Sequence, residues 1–243
     1  MVRIRRPEDI TKTYKAVFDN FTNTTILKLI SKGALDGLES PIRIGKEANI
    51  FSGLIGSERV AVKIYRMMTC DFNRMYDYIR ADPRFPQLNR NRRKVVLLWA
   101  QREYRNLLKA REAGVRVPTP RAVLNNVLVM EFIGDDRQPA PRLKDAWPEK
   151  PQEFFDTIVK SMQKLYKAGL VHTDLSHFNI LNHHEEPVFI DFSQATILEN
   201  PNAQDYLTRD IKNVCTFFKK KGLDVDEEMV KKQITRAKSM RNI

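Results

Sequence analysis

Hydrophobic positions along this chain change period three times, and each change marks a different kind of element. Residues 8–18 and 24–31 place apolar side chains at helical spacing, with Thr22 or Asn23 available to cap the second run and Gly33 to end it. From 38 to 65 the pattern shortens to 42–44, 50–54 and 60–65, broken by glycine and by the turn at Gly56-Ser57, which predicts three antiparallel strands. Residues 67–93, with Pro83, Pro86 and many polar and basic side chains, lose the period and read as a partly disordered insert. Residues 94–113 then give a strong amphipathic helix, with Val96, Trp99, Ala100, Leu107 and Ala110 on one arc and Glu103 in its middle. A carboxylate aimed at a core is costly unless something positive meets it, so this arc predicts a buried cation nearby.

Two further strands, 121–124 and 127–132, are joined by Asn125-Asn126, a pair that tolerates the positive φ of a tight turn. After Gly134 the chain is loop-like through Pro139, Pro141 and Pro148, and a helix follows at 151–168 with Phe154, Ile158, Met162 and Leu165 on one face. Helices at 203–221 and 226–240 complete the chain, the last acidic in its first turn and basic toward its end, as the helix dipole favours. The expected class is α+β: an N-terminal helical extension (1–37), a small antiparallel β lobe with one main helix (38–133), and a helical second lobe (134–243).

Composition narrows the setting. With 243 residues and 42% hydrophobic content the chain can bury one sizeable core or two small lobes. No run approaches the roughly 20 apolar residues that span a bilayer. The basic start, Met1 to Pro7, leads into Glu8 and Asp9 rather than an apolar signal core. Cys70 and Cys215 sit in unrelated contexts, so neither a disulfide framework nor a zinc site is expected, and a cytoplasmic location is. A formal charge of +12 implies attraction to polyanions, with basic residues gathered at Arg3, Arg5 and Arg6, at Arg84 to Lys94, and at Lys219 to Lys221. Each cluster reads equally as a solvated face or a nucleic-acid contact.

The chemistry concentrates in Val171-His172-Thr173-Asp174-Leu175-Ser176-His177-Phe178-Asn179-Ile180-Leu181, followed by Ile190-Asp191-Phe192-Ser193 at the end of a short apolar strand. Phosphoryl transfer asks a protein for a carboxylate that orients the attacking hydroxyl and for oxygen ligands that hold Mg²⁺ against a triphosphate. Asp174 suits the first role; Asn179 and Asp191 suit the second. His172 reads as an organiser of the loop, and His177, His183 and His184 as poor metal ligands, the last two in a surface turn with Glu185 and Glu186.

That loop and metal Asp lie downstream of Val60-Ala61-Val62-Lys63 and of a helix with an inward Glu, and together these segments resemble the protein-kinase superfamily. Lys63 is then the cation for Glu103, and would reach the α- and β-phosphates. Within the superfamily the chain resembles the RIO-type atypical serine kinases, more the type-one branch than the type-two branch, from about Leu38 to Gly222. The resemblance is carried by Gly45-Lys46-Glu47-Ala48-Asn49-Ile50, by the 172–181 loop, by Ile190 to Ala195, and by Tyr206-Leu207-x-Arg209-Asp210. That last segment follows Asp191 too soon for an activation loop or a peptide-docking segment. Two features depart from ordinary kinases or from the type-one pattern: no G-x-G-x-x-G at Gly45 and Gly53, where Lys46 would supply a charge instead, and Arg43-Ile44 where Ser-Thr is expected.

The resemblance implies one two-lobed kinase domain binding ATP with Mg²⁺ or Mn²⁺. The adenine would hang on Met130-Glu131-Phe132-Ile133 by the Glu131 carbonyl and Ile133 amide, with Met130 as gatekeeper and Ala61 and Leu181 on the faces of the base. It implies autophosphorylation or ATP hydrolysis, Asp191 as a transient phosphoryl acceptor, and work on the pre-ribosomal small subunit, its RNA or its proteins. Two other readings stand beside it. A small-molecule kinase of the aminoglycoside or choline type would share Asp174 and Asn179, but the short basic stretch after Asp191 would repel cationic substrates. A nucleotide-gated RNA-binding module would bind RNA with steep salt dependence.

Overall fold

The computed structural model describes residues 18–86, 88, 90–135 and 138–236, so the 8–18 helix, apart from Phe18, and the Arg3, Arg5 and Arg6 cluster lie outside the described residues. These residues divide into two units. The first takes the residues up to Asp77, those from 90 to 104, and Pro120–Phe132; the second takes 78–88, 105–119 and the residues from Ile133 onward.

The first unit is built on five antiparallel strands, β1 (Gly37–Ile44), β2 (Ala48–Ile55), β3 (Glu58–Tyr65), β4 (Pro120–Leu124) and β5 (Val127–Glu131), in the order β1-β2-β3-β5-β4. Helix α1 (Asn20–Ser31) covers one face. Its Thr22, Thr25, Ile26 and Leu29 recur at helical spacing and are buried. Ile26 and Leu29 pack with Leu35, Leu38, Phe51, Val60, Val62, Ile64, Val127 and Val129. Burying each such aliphatic chain stabilises the unit by about 1.5–3 kcal/mol. The cap is Asp19, whose carboxylate accepts from the Thr22 amide at 2.7 Å, rather than Thr22 or Asn23. Asn125 takes the left-handed conformation the turn requires, with φ +52°. The neighbouring Asn126 Nδ2 donates to Thr22 Oγ1 (2.9 Å) and to the Tyr65 carbonyl (2.8 Å), tying turn, helix and strand together.

Segment 67–93 differs from the irregular stretch its pattern suggests. Helix α2 (Phe72–Arg80) forms there, with Met75 and Ile79 buried four residues apart on one face. The arginines that hid this periodicity have partners: Arg90 donates to Asn73, Arg92 to the Met68 carbonyl, and Arg93 lies 3.9 Å from the centroid of the Phe21 ring. Helix α3 (Arg92–Glu112) runs through both units, and Val96, Trp99, Ala100, Glu103, Leu107 and Ala110 are all buried.

In the second unit, helices α4 (Pro151–Lys167), α5 (Ala203–Lys220) and α6 (Glu227–Thr235) bury Phe154, Ile158, Met162 and Leu165, then Leu207, Ile211, Val214 and Phe218, then Val230 and Ile234. Short strand pairs, absent from the periodicity because each is two to four residues long, frame the loops: β6 (Gly134–Asp135) with β7 (Gln138–Pro139), β8 (Leu170–Val171) with β11 (Thr196–Ile197), and β9 (Ile180–His183) with β10 (Glu186–Phe189). Only residues 192–202 separate Asp191 from α5, so no activation loop intervenes. Among the described residues no helix is long and apolar enough to cross a membrane.

Candidate active site

Strand alternation decides what β3 presents. Val60, Val62 and Ile64 enter the core under α1, so Ala61, Lys63 and Tyr65 turn to the other face. The register sets Met130 opposite Ala61 and Leu128 opposite Lys63 on that same face. There the Lys63 Nζ donates to Glu103 Oε1 at 2.9 Å, and the Tyr65 hydroxyl donates to Oε2. The two charged side chains are 7% and 1% exposed, which makes this a desolvated pair rather than a surface one. The cation demanded by the Glu103 position is Lys63. At the β1–β2 turn, a Cβ on Gly45 would sit 2.8 Å from the Ala48 carbonyl oxygen, so the close backbone approach there requires glycine. Lys46 and Arg43 are exposed.

In the second unit, β8 leads into the Asp174 loop and the β9–β10 hairpin leads out of it to Asp191. The Asn179 Nδ2 donates to the Asp174 carbonyl (2.9 Å) and to its Oδ2 (3.2 Å). With its nitrogen so committed, the amide of Asn179 keeps its oxygen as the end that can meet a cation. Asp191 has φ +65°, a conformation that costs of order 1–3 kcal/mol in a non-glycine residue, and Ser193 Oγ donates to its Oδ1 at 2.8 Å. The Ile190 amide donates to the Asn179 carbonyl at 3.0 Å, which links the Asn179 and Asp191 segments directly. His172 bonds through Nε2 to the Ile190 carbonyl and packs edge-on to Phe192, an organiser of backbone. Ile133 and Leu181 share a buried cluster with Ala140 and Val188, while Glu131 is half-buried at the end of β5. An amide oxygen beside a carboxylate is a hard donor set that fits Mg²⁺.

The RIO domain family model matches residues 49–231 of this chain. The chain belongs to the RIO family of serine/threonine-protein kinases. It is 44% identical over 227 residues to the RIO-type serine/threonine-protein kinase Rio1 of Haloferax volcanii, covering 92% of this chain and 78% of that protein. It is 43% identical over 229 residues to the same-named kinase of Methanocaldococcus jannaschii, covering 94% and 78%. The crystal structure of the Rio2 kinase–ADP/Mg²⁺–phosphoaspartate complex from Chaetomium thermophilum has the same fold, with a TM-score of 0.68 at 19% identity over 96% of this chain and 79% of that one.

Arg209, Asp210 and Asn106 position this RIO kinase's loops through contacts that the sequence pattern does not disclose. Thr173, next to Asp174, is a β-branched residue at φ +70°, and it is held on three sides. Buried Asp210 of α5 accepts from the Thr173 amide (2.7 Å) and the Leu175 amide (2.9 Å), Arg209 donates to the Thr173 carbonyl, and Thr173 Oγ1 donates to the Gln194 carbonyl (3.0 Å). Buried Asn106, one turn beyond Glu103 on α3, donates to the carbonyls of Phe192 (2.9 Å) and Ala195 (2.7 Å) and accepts from Arg84 at 2.9 Å. Arg84 also pairs with buried Asp82 at 2.6 Å, so this member of the basic cluster serves the fold. Spacing could have pointed to Asn106, since i+3 stays on one helix face. Asp210 stands in the Tyr206-Leu207-x-Arg209-Asp210 segment that carries the resemblance, but nothing in that segment says that its carboxylate accepts from the Asp174 loop.

Burial pushes the Asp210 carboxyl up from 3.8 to about 7, against the opposing pull of the Leu175 and Thr173 amides and of Arg209, and with Asp174 adding to the rise. A carboxyl that holds its proton more tightly in the folded state contributes stability that is fully present below about pH 4 and is lost as pH rises through about 7. Asp210→Asn cannot titrate. The difference in Tm, wild type minus variant, should therefore fall by several degrees between pH 4 and 8, at about 2–4 °C per kcal/mol for a chain of this size. A constant difference across that range would refute the assignment.

Proposed function

We propose that this chain transfers the γ-phosphoryl group of MgATP to serine hydroxyls, its own included, or to water, and that it acts in the cytoplasm on the maturing small ribosomal subunit. The observation that carries the reading is the Asp174–Asn179 contact, at 3.2 Å, in a loop whose strained backbone is gripped by Asp210 and Arg209. A carboxylate fixed in that way can accept the proton of an attacking hydroxyl as its oxygen bonds to the γ-phosphorus and the bond to the β,γ-bridging oxygen breaks, releasing ADP. Asn179 and Asp191 would hold Mg²⁺, which when bound neutralises charge developing on the phosphate oxygens. Lys63, oriented by Glu103 and Tyr65, would pair with the α- and β-phosphates, with Gly45 and Lys46 at the turn beside the nucleotide. Ala61, Met130, Glu131, Ile133 and Leu181 would receive the adenine, as the family resemblance implies.

The absence of a segment between Asp191 and α5 on which a peptide could dock supports autophosphorylation or hydrolysis over phosphorylation of free proteins. The Chaetomium complex holds a phosphoaspartate, which supports Asp191 as the acceptor of a transient acyl phosphate here. The charge of +12 supports a ribonucleoprotein partner. The test is γ-labelled ATP with Mg²⁺, following free phosphate and protein-bound label with and without hydroxylamine, which releases acyl phosphates and spares phosphoserine. Hydroxylamine-labile label that disappears in Asp191→Ala is the expected result. Label that is all hydroxylamine-stable and persists in Asp191→Ala would leave serine as the acceptor and remove the acyl intermediate.

A further inference from the structure

Away from the residues given roles above, the second unit gathers ligand chemistry at one more place. Asp135 on β6 and His183 and His184 at the β9–β10 turn bring a carboxylate oxygen and two imidazole nitrogens within 4.8 Å of one another. Successive residues in a strand point to opposite faces, but His184 and Glu185 take the left-handed conformation, φ +53° and +64°, and the two imidazole centroids come to 4.2 Å. The turn thus presents two donors on one side, where a simple surface turn would separate them.

His184 Nε2 lies 3.0 Å and His183 Nε2 3.8 Å from the same Asp135 Oδ1. Two donors bound at roughly 2.0–2.1 Å to one tetrahedral ion stand about 3.3 Å apart, so the observed separations bracket what a shared cation needs. His183 is the deciding member. Its Nε2 is buried and has no hydrogen-bond partner among the described residues, and 3.8 Å is beyond hydrogen-bond reach. A hydrogen bond to Asp135 accounts for His184 and leaves the His183 nitrogen stranded; a cation between the three accounts for both.

We propose that Asp135, His183 and His184 bind one zinc-class divalent cation through two imidazole nitrogens and a carboxylate oxygen, with further coordination positions open to water or a ligand. Nitrogen donors select against Mg²⁺ and Ca²⁺, so this donor set and the oxygen set of Asn179 and Asp191 take different metals. The cation would clip the β6–β7 hairpin, flanked by Ile133 and Ala140, to the β9–β10 hairpin, which carries Leu181 and Val188, and these four residues share one apolar cluster. That clip would also fix Ile133 against Leu181. Any effect of that on adenine binding rests on the proposed function; cation binding does not.

The test is Co²⁺ titration of the tag-free, chelator-stripped chain in excess Mg²⁺, read by visible d–d absorption and by displacement with Zn²⁺. The expected result is a band saturating at one equivalent, without a thiolate charge-transfer component because buried Cys70 and Cys215 take no part. His184→Ala and Asp135→Asn, both at exposed positions, should keep the apo Tm and weaken Co²⁺ by more than the roughly tenfold that loss of an outer-shell partner costs. Asp174→Ala should retain the band, which keeps this result separate from the fate of the kinase reading. A titration that does not saturate, or one unchanged in both His184→Ala and Asp135→Asn, would reduce the cluster to a histidine–aspartate ion pair and overturn the proposal.

Discussion

Asp174→Ala is expected to lower phosphoryl transfer by about 10²–10⁴-fold, the span that a positioned general base supplies, while shifting the Tm by no more than about 2 °C. The two halves of that expectation come from different features. Asp174 is half-buried at a bend, and the grip on its neighbours runs through the backbone of Thr173 and Leu175 to Asp210, so removing its carboxylate leaves the loop's anchors in place. What is lost is the contact that orients Asn179 and, on the proposed function, the acceptor for the hydroxyl proton. Asp174→Asn separates these losses. An amide at 174 can still meet Asn179 but cannot take up a proton, so a base predicts that Asn is nearly as damaging as Ala, whereas a purely positioning residue predicts that Asn rescues. Initial rates with saturating MgATP decide between them. Either variant retaining more than about a tenth of wild-type activity would exclude Asp174 as the base.

The Asp174 loop stood out in sequence because the polar residues it brings together are local. His172, Asp174, Asn179 and Asp191 fall within 20 residues, and spacing alone restricts what they can do together. Glu103 was legible for a different reason: a carboxylate in the centre of an apolar helical arc is a thermodynamic anomaly that demands a partner, and the structure supplies Lys63, 40 residues away in sequence. What the sequence concealed was of two kinds. Helix α2 was hidden because its arginines and aromatic rings mask the apolar positions Met75 and Ile79, and those rings take cations rather than core contacts: Arg92 lies over Phe72 and Arg90 over Tyr76. The contacts of Asp210 and Asn106, and the approach of Asp135 to His183 and His184, were hidden because each is tertiary. A polar residue at a buried helical position reads as a flaw in periodicity until its partners, here the backbone of a loop 35 to 89 residues away, are known. The short strands β8 to β11 fall below the length at which alternation can be recognised, yet they hold the loop ends.

The second large effect is on stability. Glu103→Ala is expected to cost about 3–5 kcal/mol, because it leaves Lys63 charged in a site where both partners are almost wholly desolvated. Lys63→Met should cost a comparable amount by stranding the Glu103 carboxylate, relieved in part by the Tyr65 hydroxyl that still donates to it. The double variant Lys63→Met/Glu103→Leu should be far more stable than the sum of the singles implies, since replacing both charges with apolar side chains of similar volume is close to neutral. Urea unfolding of the four proteins measures this coupling, and the same four proteins assayed for phosphate transfer should all be impaired except the wild type. Recovery of stability without recovery of activity would mean that the pair is kept for its charge at the nucleotide and not for the fold. If Glu103→Ala instead loses less than about 1 kcal/mol, the Lys63 ammonium can reach water once unpaired, and its buried position is a consequence of Glu103 rather than of the sheet.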